Sequence, residues 1–323
     1  MQDPRLDTQS ETARPARPKL VEIHQPTNFE QTCRCIGELC YMNLVKEILE
    51  HGAYRKDRTG VGAWSLFGKS LSFDLRDGNM PLLTQKKMAW KSIVEELLWF
   101  LRGSTDANEL SAKGVKIWDA NGAKTGGDLG PVYGFQWRHF GAEYVDCKTD
   151  YTGKGVDQLR YVIDKIKNSP NSRQIVMSAW NPVDIPKMAL PPCHMIMQFD
   201  VAPDCTGKPS LSCMLTQRSA DMGLGVPFNI ASYSLLVHIL AKVCGLEPGV
   251  LYHSIGNAHI YTNHVEPLKT QLVRDVRPPP KVDLSAWKTD GLDPIVAIEA
   301  LRYEDIKLIG YDPHPAIPME MAL

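Results

Sequence analysis

Apolar residues recur at helical spacing in several stretches of the chain. Within 38–51 the positions Leu39, Met42, Leu44, Val45, Ile48 and Leu49 share a face, and His51-Gly52 supplies a stop. The clearest case is 90–101, where Trp90, Val94, Leu97, Leu98 and Leu101 align and Gly103 follows. Similar spacing predicts helices over 104–113, 156–168, 230–243 and 264–273. Shorter apolar runs predict two strands around Gly68 within 63–75, and further strands over 115–118, 173–180 and 250–254. Residues 194–202 and 210–218 flank a turn at 203–209 and predict a β-hairpin. Residues 1–30 are polar, carry Pro4, Pro15, Pro18 and Pro26, and read as a disordered tail before one folded domain over 31–323.

Proline lacks a backbone N–H, so Pro191-Pro192 cannot join a central ladder and the first hairpin strand starts at about Cys193. With the turn centred on Thr206, Cys193 lies thirteen residues before the centre and Arg218 twelve after. Antiparallel pairing then sets Arg218 beside Cys193. A guanidinium there lowers the thiol's pKa and favours the nucleophilic thiolate. Arg218-Ser219 also offers forked N–H groups and a hydroxyl suited to a phosphate. The competing reading of Cys193 is a small buried apolar residue.

Other residues carry similar pairs of readings. Residues 54–62 hold two glycines and a cation cluster, which suits an anion-binding loop or a solvated basic turn. Glu96 has Ile93, Trp99 and Phe100 as helical neighbours, so it is either a desolvated carboxyl fit for proton transfer or a flank reaching water. Tyr133 is a core aromatic or a pocket hydroxyl, and Asn229 is an N-cap for the helix that follows or a site residue. His259 and Tyr261, in a segment between a strand and a helix, read by default as structural.

Composition narrows the classes. Lys plus Arg is 36 and Asp plus Glu is 37, so no basic field argues for nucleic acid. No apolar run looks long enough to span a bilayer, which takes ~18–20 residues. The N-terminus lacks a signal-like apolar region, and Asp3, Asp7 and Glu11 disfavour a mitochondrial presequence. The eight cysteines have no regular spacing and read as reduced thiols. Cys33, Cys35 and Cys40, with His24 upstream, fit no common zinc pattern, so no metal is expected.

These motifs together resemble the thymidylate synthases of the animal type. The resemblance runs from about residue 40 to the end, through Asp57-Arg58-Thr59-Gly60, the 95–100 and 127–138 stretches, and Ser178-Ala179-Trp180-Asn181-Pro182. It continues through Pro191-Pro192-Cys193-His194, the 217–221 and 225–233 stretches, His259-Ile260-Tyr261 and the 310–315 stretch. It implies an α+β fold, one large mixed sheet layered by helices, with a sheet face used for homodimerisation. It implies methylation of dUMP to dTMP with 5,10-methylenetetrahydrofolate as one-carbon donor and reductant, and release of dihydrofolate. No metal is implied.

By this resemblance Cys193 attacks C6 of the uracil ring, and Glu96, Tyr133, Arg218, Asp221 and Asn229 join it in catalysis. The dUMP site would comprise Arg58, Cys193, His194, Gln217, Arg218, Ser219, Ala220, Asp221, Asn229, His259, Ile260 and Tyr261. Arg173 and Gln174 would reach it from the other subunit. Asn229 would read the ring, since its amide can donate to O4 and accept from N3–H. Lys86, Ile117, Trp118, Asn121, Asp221, Leu224, Gly225, Phe228 and Ala322 would bind the folate, with residues 319–323 closing over it.

Two residues depart from the family's pattern. Gln174 stands where a second arginine is usual beside Arg173, and Asn257 where aspartate is common. No reductase-like segment is visible, which predicts a monofunctional, cytoplasmic enzyme, with nuclear or mitochondrial pools open. A second reading keeps the fold as a binding or regulatory protein, with RNA as its partner. A third, a hydrolase pairing Cys193 with His194, fails because adjacent strand residues point to opposite faces.

Overall fold

Alternating burial and proline breaks set the strand ends, and a computed structural model describes residues 29–56, 60–204 and 206–321. Strands β1 (Ala53–Arg55), β2 (Ala63–Asp74), β3 (Val176–Ser178), β4 (His194–Pro203), β5 (Pro209–Asp221) and β6 (Glu247–Tyr261) form one sheet. Its order is β1-β2-β6-β5-β4-β3. All neighbours are antiparallel except β5 and β6, so the sheet is mixed. A second pair, β7 (Lys281–Asp283) and β8 (Lys307–Ile309), is antiparallel.

The helices are α1 (Phe29–His51), α2 (Trp90–Leu101), α3 (Ala107–Ser111), α4 (Asp119–Gly122), α5 (Tyr133–His139), α6 (Gln158–Asn168), α7 (Gly225–Cys244), α8 (Val265–Leu272) and α9 (Pro294–Ala300). They make this an α+β fold around one core. α1 packs on β2 and α7 on β5 and β6, covering one face of the sheet with Phe73, Leu215 and Leu251 beneath. The other face carries Ile196, Met214 and Tyr252, which are 36%, 43% and 50% exposed. Met214 pairs directly with Tyr252, so the exposed apolar groups are neighbours.

Several expectations from the sequence are corrected. Gly68 does not split 63–75 in two. Its φ of +73° bends the backbone inside a ladder that continues on both sides, opposite Gly256. Residues 115–118 form no strand. They turn into α4, anchored by Val115 N–H to Leu110 O and by burial of Val115 and Trp118. The strand expected over 173–180 is only β3, because Arg173 and Gln174 lie in a turn. β6 runs on through Gly256 to Tyr261, so His259 and Tyr261 stand on a strand paired on both sides. α7 begins at Gly225, so Asn229 is inside the helix and caps nothing. At 20 residues, α7 is also apolar and long enough to cross a bilayer, but most of it is buried in this core. The tail expected over 1–30 lies outside the described residues, save that its last two open α1. The side chains of Cys33 and Cys35 also lie outside them.

Candidate functional site

The hairpin register follows from its spacing. His194 pairs with Gln217, and the Arg218 N–H donates to the Cys193 carbonyl at 2.8 Å. Cys193 is therefore the last residue before β4, half-buried at the sheet's end. Arg218 Nη2 lies 4.0 Å from Cys193 Sγ. The guanidinium is held by the Pro192 carbonyl at Nε and the Pro191 carbonyl at Nη2, both at 2.8 Å, and lies over the Trp180 ring. Those two carbonyls have no competing role in a ladder, because proline ends the strand there.

The thiol opens into a cavity of about 810 Å³. Several elements meet around it. α2 brings Glu96, the start of α5 brings Tyr133, the end of β5 brings Gln217, Arg218, Ser219 and Asp221, and α7 brings Leu224, Gly225, Phe228 and Asn229. His194, His259 and Tyr261 add to the polar lining, and Ile117, Trp118 and Asn121 line it as well. A lining that mixes aromatic and aliphatic groups with several convergent polar ones suits a nucleotide beside a second planar ring.

Glu96 is 8% exposed, and burial pushes its carboxyl up to about 7 against the pull of the Trp118 indole N–H, 2.7 Å away. Its helical neighbours do desolvate it. The Tyr133 hydroxyl accepts the Cys193 N–H at 2.8 Å, and burial holds that phenol well above its ordinary pKa. His194 stacks on Tyr133 at 4.1 Å and meets the Tyr233 hydroxyl at 2.5 Å. Burial, with help from His253 and Arg218, drives its imidazole down to about 3, so it is neutral.

The Asp221 carboxylate accepts the Gly223 N–H at 2.9 Å and, at the start of α7, the Leu224 N–H at 3.2 Å and the Gly225 N–H at 3.4 Å, donors the helix leaves unpaired. Burial would raise this carboxyl, but His264 and those backbone donors outweigh it and hold it below the usual range. His264 also meets the Glu320 carbonyl at 2.6 Å, and Met321 lines the cavity. The terminal segment is thus tied down on the Asp221 side of the site. Lys86 donates to the Gly223 carbonyl and lies 3.9 Å from Met319 Sδ, and burial lowers it to about 8. His259 Nδ1 is 3.2 Å from Asn257 Oδ1.

Not every expected site residue reaches the cavity. Ala220 and Ile260 are fully buried behind it, so they contribute backbone and packing. Lys86 sits beside it, under the terminal segment. Arg173 and Gln174 are exposed on the turn before β3, away from this cavity. Arg58 and Ala322 lie outside the described residues. Sequence reasoning missed Ala120, Ala189 and Leu190 in the lining, since apolar residues of this kind carry no chemistry that marks them, whereas Met321 belongs to the 319–323 stretch expected over the site. It also missed His253 and His264, both fully buried.

A family model described as thymidylate synthase matches residues 39–323. The chain is 58% identical to the thymidylate synthase of Equine herpesvirus 2 over 294 residues, 88% of this chain and 97% of that one. It is 54% identical to the Homo sapiens thymidylate synthase over 298 residues, covering 89% and 91% of the two chains. It is 52% identical to that of Saccharomyces cerevisiae over 299 residues, covering 88% and 96%.

Proposed function

The chain belongs to the thymidylate synthase family and is a methyltransferase that makes dTMP from dUMP, and we propose that it does so through a covalent Cys193–C6 adduct. The one-carbon donor and reductant is 5,10-methylenetetrahydrofolate, which leaves as dihydrofolate. The observation that carries this reading is the thiol 4.0 Å from a fixed guanidinium, in the lining of a cavity that Glu96 and Asn229 also line.

The ring needs that sulfur. C5 of uracil is a poor nucleophile until addition at C6 makes it enolate-like. Arg218 stabilises the thiolate and, with Ser219 and Arg58, holds the phosphate. Asn229 reads the base, while His259 and Tyr261, two apart on β6 and so on one face, hold the sugar hydroxyl. Glu96 organises proton transfer near O4, and Tyr133 helps remove the C5 proton once carbon has been transferred. Trp118, Ile117, Leu224 and Phe228 pack on the folate, with Asn121 and Asp221 at its polar edge. Closure of the terminal segment, with Ala322 against the folate, keeps water from the intermediate. A reduced thiol at Cys193 fits a cytoplasmic setting.

The exposed apolar face of the sheet supports a homodimer in which Arg173 and Gln174 of the partner subunit complete the phosphate site. At dUMP well below KM, Arg173→Ala, weakened by about tenfold or more, and Cys193→Ala, inactive, should together regain up to about a quarter of wild-type activity when subunits exchange, because half the dimers then carry one intact site. No recovery in a verified mixed dimer would show that each site is built within one chain. Gln174→Arg restores a cation, and a charged hydrogen bond contributes about 1.5–3 kcal/mol. Its KM for dUMP should fall about tenfold with kcat nearly unchanged. Equal dissociation constants for dUMP would remove that argument.

The test of the whole reading is spectrophotometric. The protein should form dihydrofolate only when both dUMP and methylenetetrahydrofolate are present, and should release tritium from C5-labelled dUMP. Folate consumption without dihydrofolate would exclude it as the reductant.

A further inference from the structure

His253 lies at the centre of β6, 0% exposed, and takes no part in the chemistry above. Its Nε2 is 2.8 Å from Gln217 Oε1. Parallel pairing of β5 with β6 sets Leu215 opposite His253 and Gln217 opposite Ile255, so all four side chains share the face beneath α7. Gln217 in turn reaches Asn229 on that helix, with Nε2 3.0 Å from Asn229 Oδ1.

The direction of this chain of hydrogen bonds is fixed at its middle. Gln217 Nε2 is also 2.9 Å from the Ser219 carbonyl, which can only accept. The Gln217 nitrogen must therefore face Ser219 and Asn229, and its oxygen must face His253. That oxygen needs a donor, so His253 carries its proton on Nε2. Burial lowers the His253 imidazole to about 3, which leaves it one proton to place. Its Nδ1 meets no partner among the described residues, which a bare lone pair tolerates better than an N–H. With its oxygen turned to Gln217, the Asn229 amide presents its N–H groups to the cavity.

We infer that His253 is a positioning residue for base selection, which acts through Gln217 to orient the Asn229 amide and so favours uracil over cytosine. The inference rests on the reading that Asn229 meets the pyrimidine edge. An N–H group there is matched by the O4 acceptor of uracil. It is opposed by the N4 amine of cytosine, which is also a donor. Without His253 the Gln217 oxygen is a buried acceptor lacking its donor, and the orientation of both amides is weakened.

The experiment measures dissociation constants for dUMP and dCMP by calorimetry in wild type, His253→Leu and His253→Gln. Wild type should prefer dUMP. His253→Leu should lose about tenfold of that preference. His253→Gln, which can donate from nearly the same place as Nε2, should keep it. An unchanged ratio in folded His253→Leu overturns the relay, while the base reading itself stands. A wild type without preference for dUMP overturns the base reading and the relay together. If His253→Leu does not fold, ¹⁵N-histidine spectra of wild type, assigned with His253→Gln, decide the matter. An Nε2–H tautomer supports the relay and an Nδ1–H tautomer overturns it.

Discussion

Cys193→Ala is expected to lower turnover by about 10⁴-fold or more, because it removes the only bond to the ring. A loss of that size is a barrier increase of about 5.5 kcal/mol. The substitution should leave nucleotide binding nearly intact. Arg218 keeps its N–H on the residue-193 carbonyl and its guanidinium on Pro191 and Pro192, contacts that do not involve Sγ. The Tyr133 hydroxyl accepts a backbone N–H, which alanine retains. The expected signature is therefore a collapse of kcat with a dUMP dissociation constant changed by only a few-fold. Acid-quenched wild type should show a protein species heavier by the nucleotide, and the variant should not. Turnover within about tenfold of wild type would mean that the sulfur is not the nucleophile.

The part of this site that sequence reveals is the part built by local chain geometry. The Cys193–Arg218 contact follows from hairpin arithmetic, since antiparallel neighbours joined by one turn have little freedom of register. Glu96 is legible for a similar reason, as its helical neighbours are fixed by spacing within α2. The end of β6 is less legible. Gly256 and Asn257 weaken its pattern, and the pairing that makes it a strand comes from β2 and β5, remote in the chain. Asn229 misleads because an asparagine before an apolar run suits an N-cap, whereas α7 starts earlier, with Asp221 accepting the Leu224 and Gly225 N–H groups at its start. His253 could have been found. Leu251, His253 and Ile255 fall on the same phase of a strand, and a histidine on the buried phase needs a partner. The identity of that partner depends on parallel pairing that no local signal gives.

Glu96→Gln should trade activity for stability. A positioned proton-transfer group contributes about 10²–10⁴-fold, so kcat should fall by about a thousandfold. The wild-type rate profile should show an inflection near pH 7 that the variant lacks. Stability should move the other way. Burial raises the Glu96 carboxyl from 4.5 to about 7. Between those values the folded chain holds a proton that the unfolded chain releases, so wild type loses stability as pH rises through this window. The loss is complete above about pH 7 and amounts to about 3 kcal/mol. Glutamine keeps an acceptor for the Trp118 indole N–H and carries no charge, so the variant escapes the loss. Glu38, also raised to about 7 by burial, titrates in both proteins and cancels from their difference. Denaturant unfolding of wild type and variant should therefore agree most closely near pH 4 and diverge toward pH 8, with the variant gaining. A difference that stays flat across that range would mean that Glu96 remains hydrated and ionised at neutral pH. It could not then hold the proton that the O4 of a bound uracil requires.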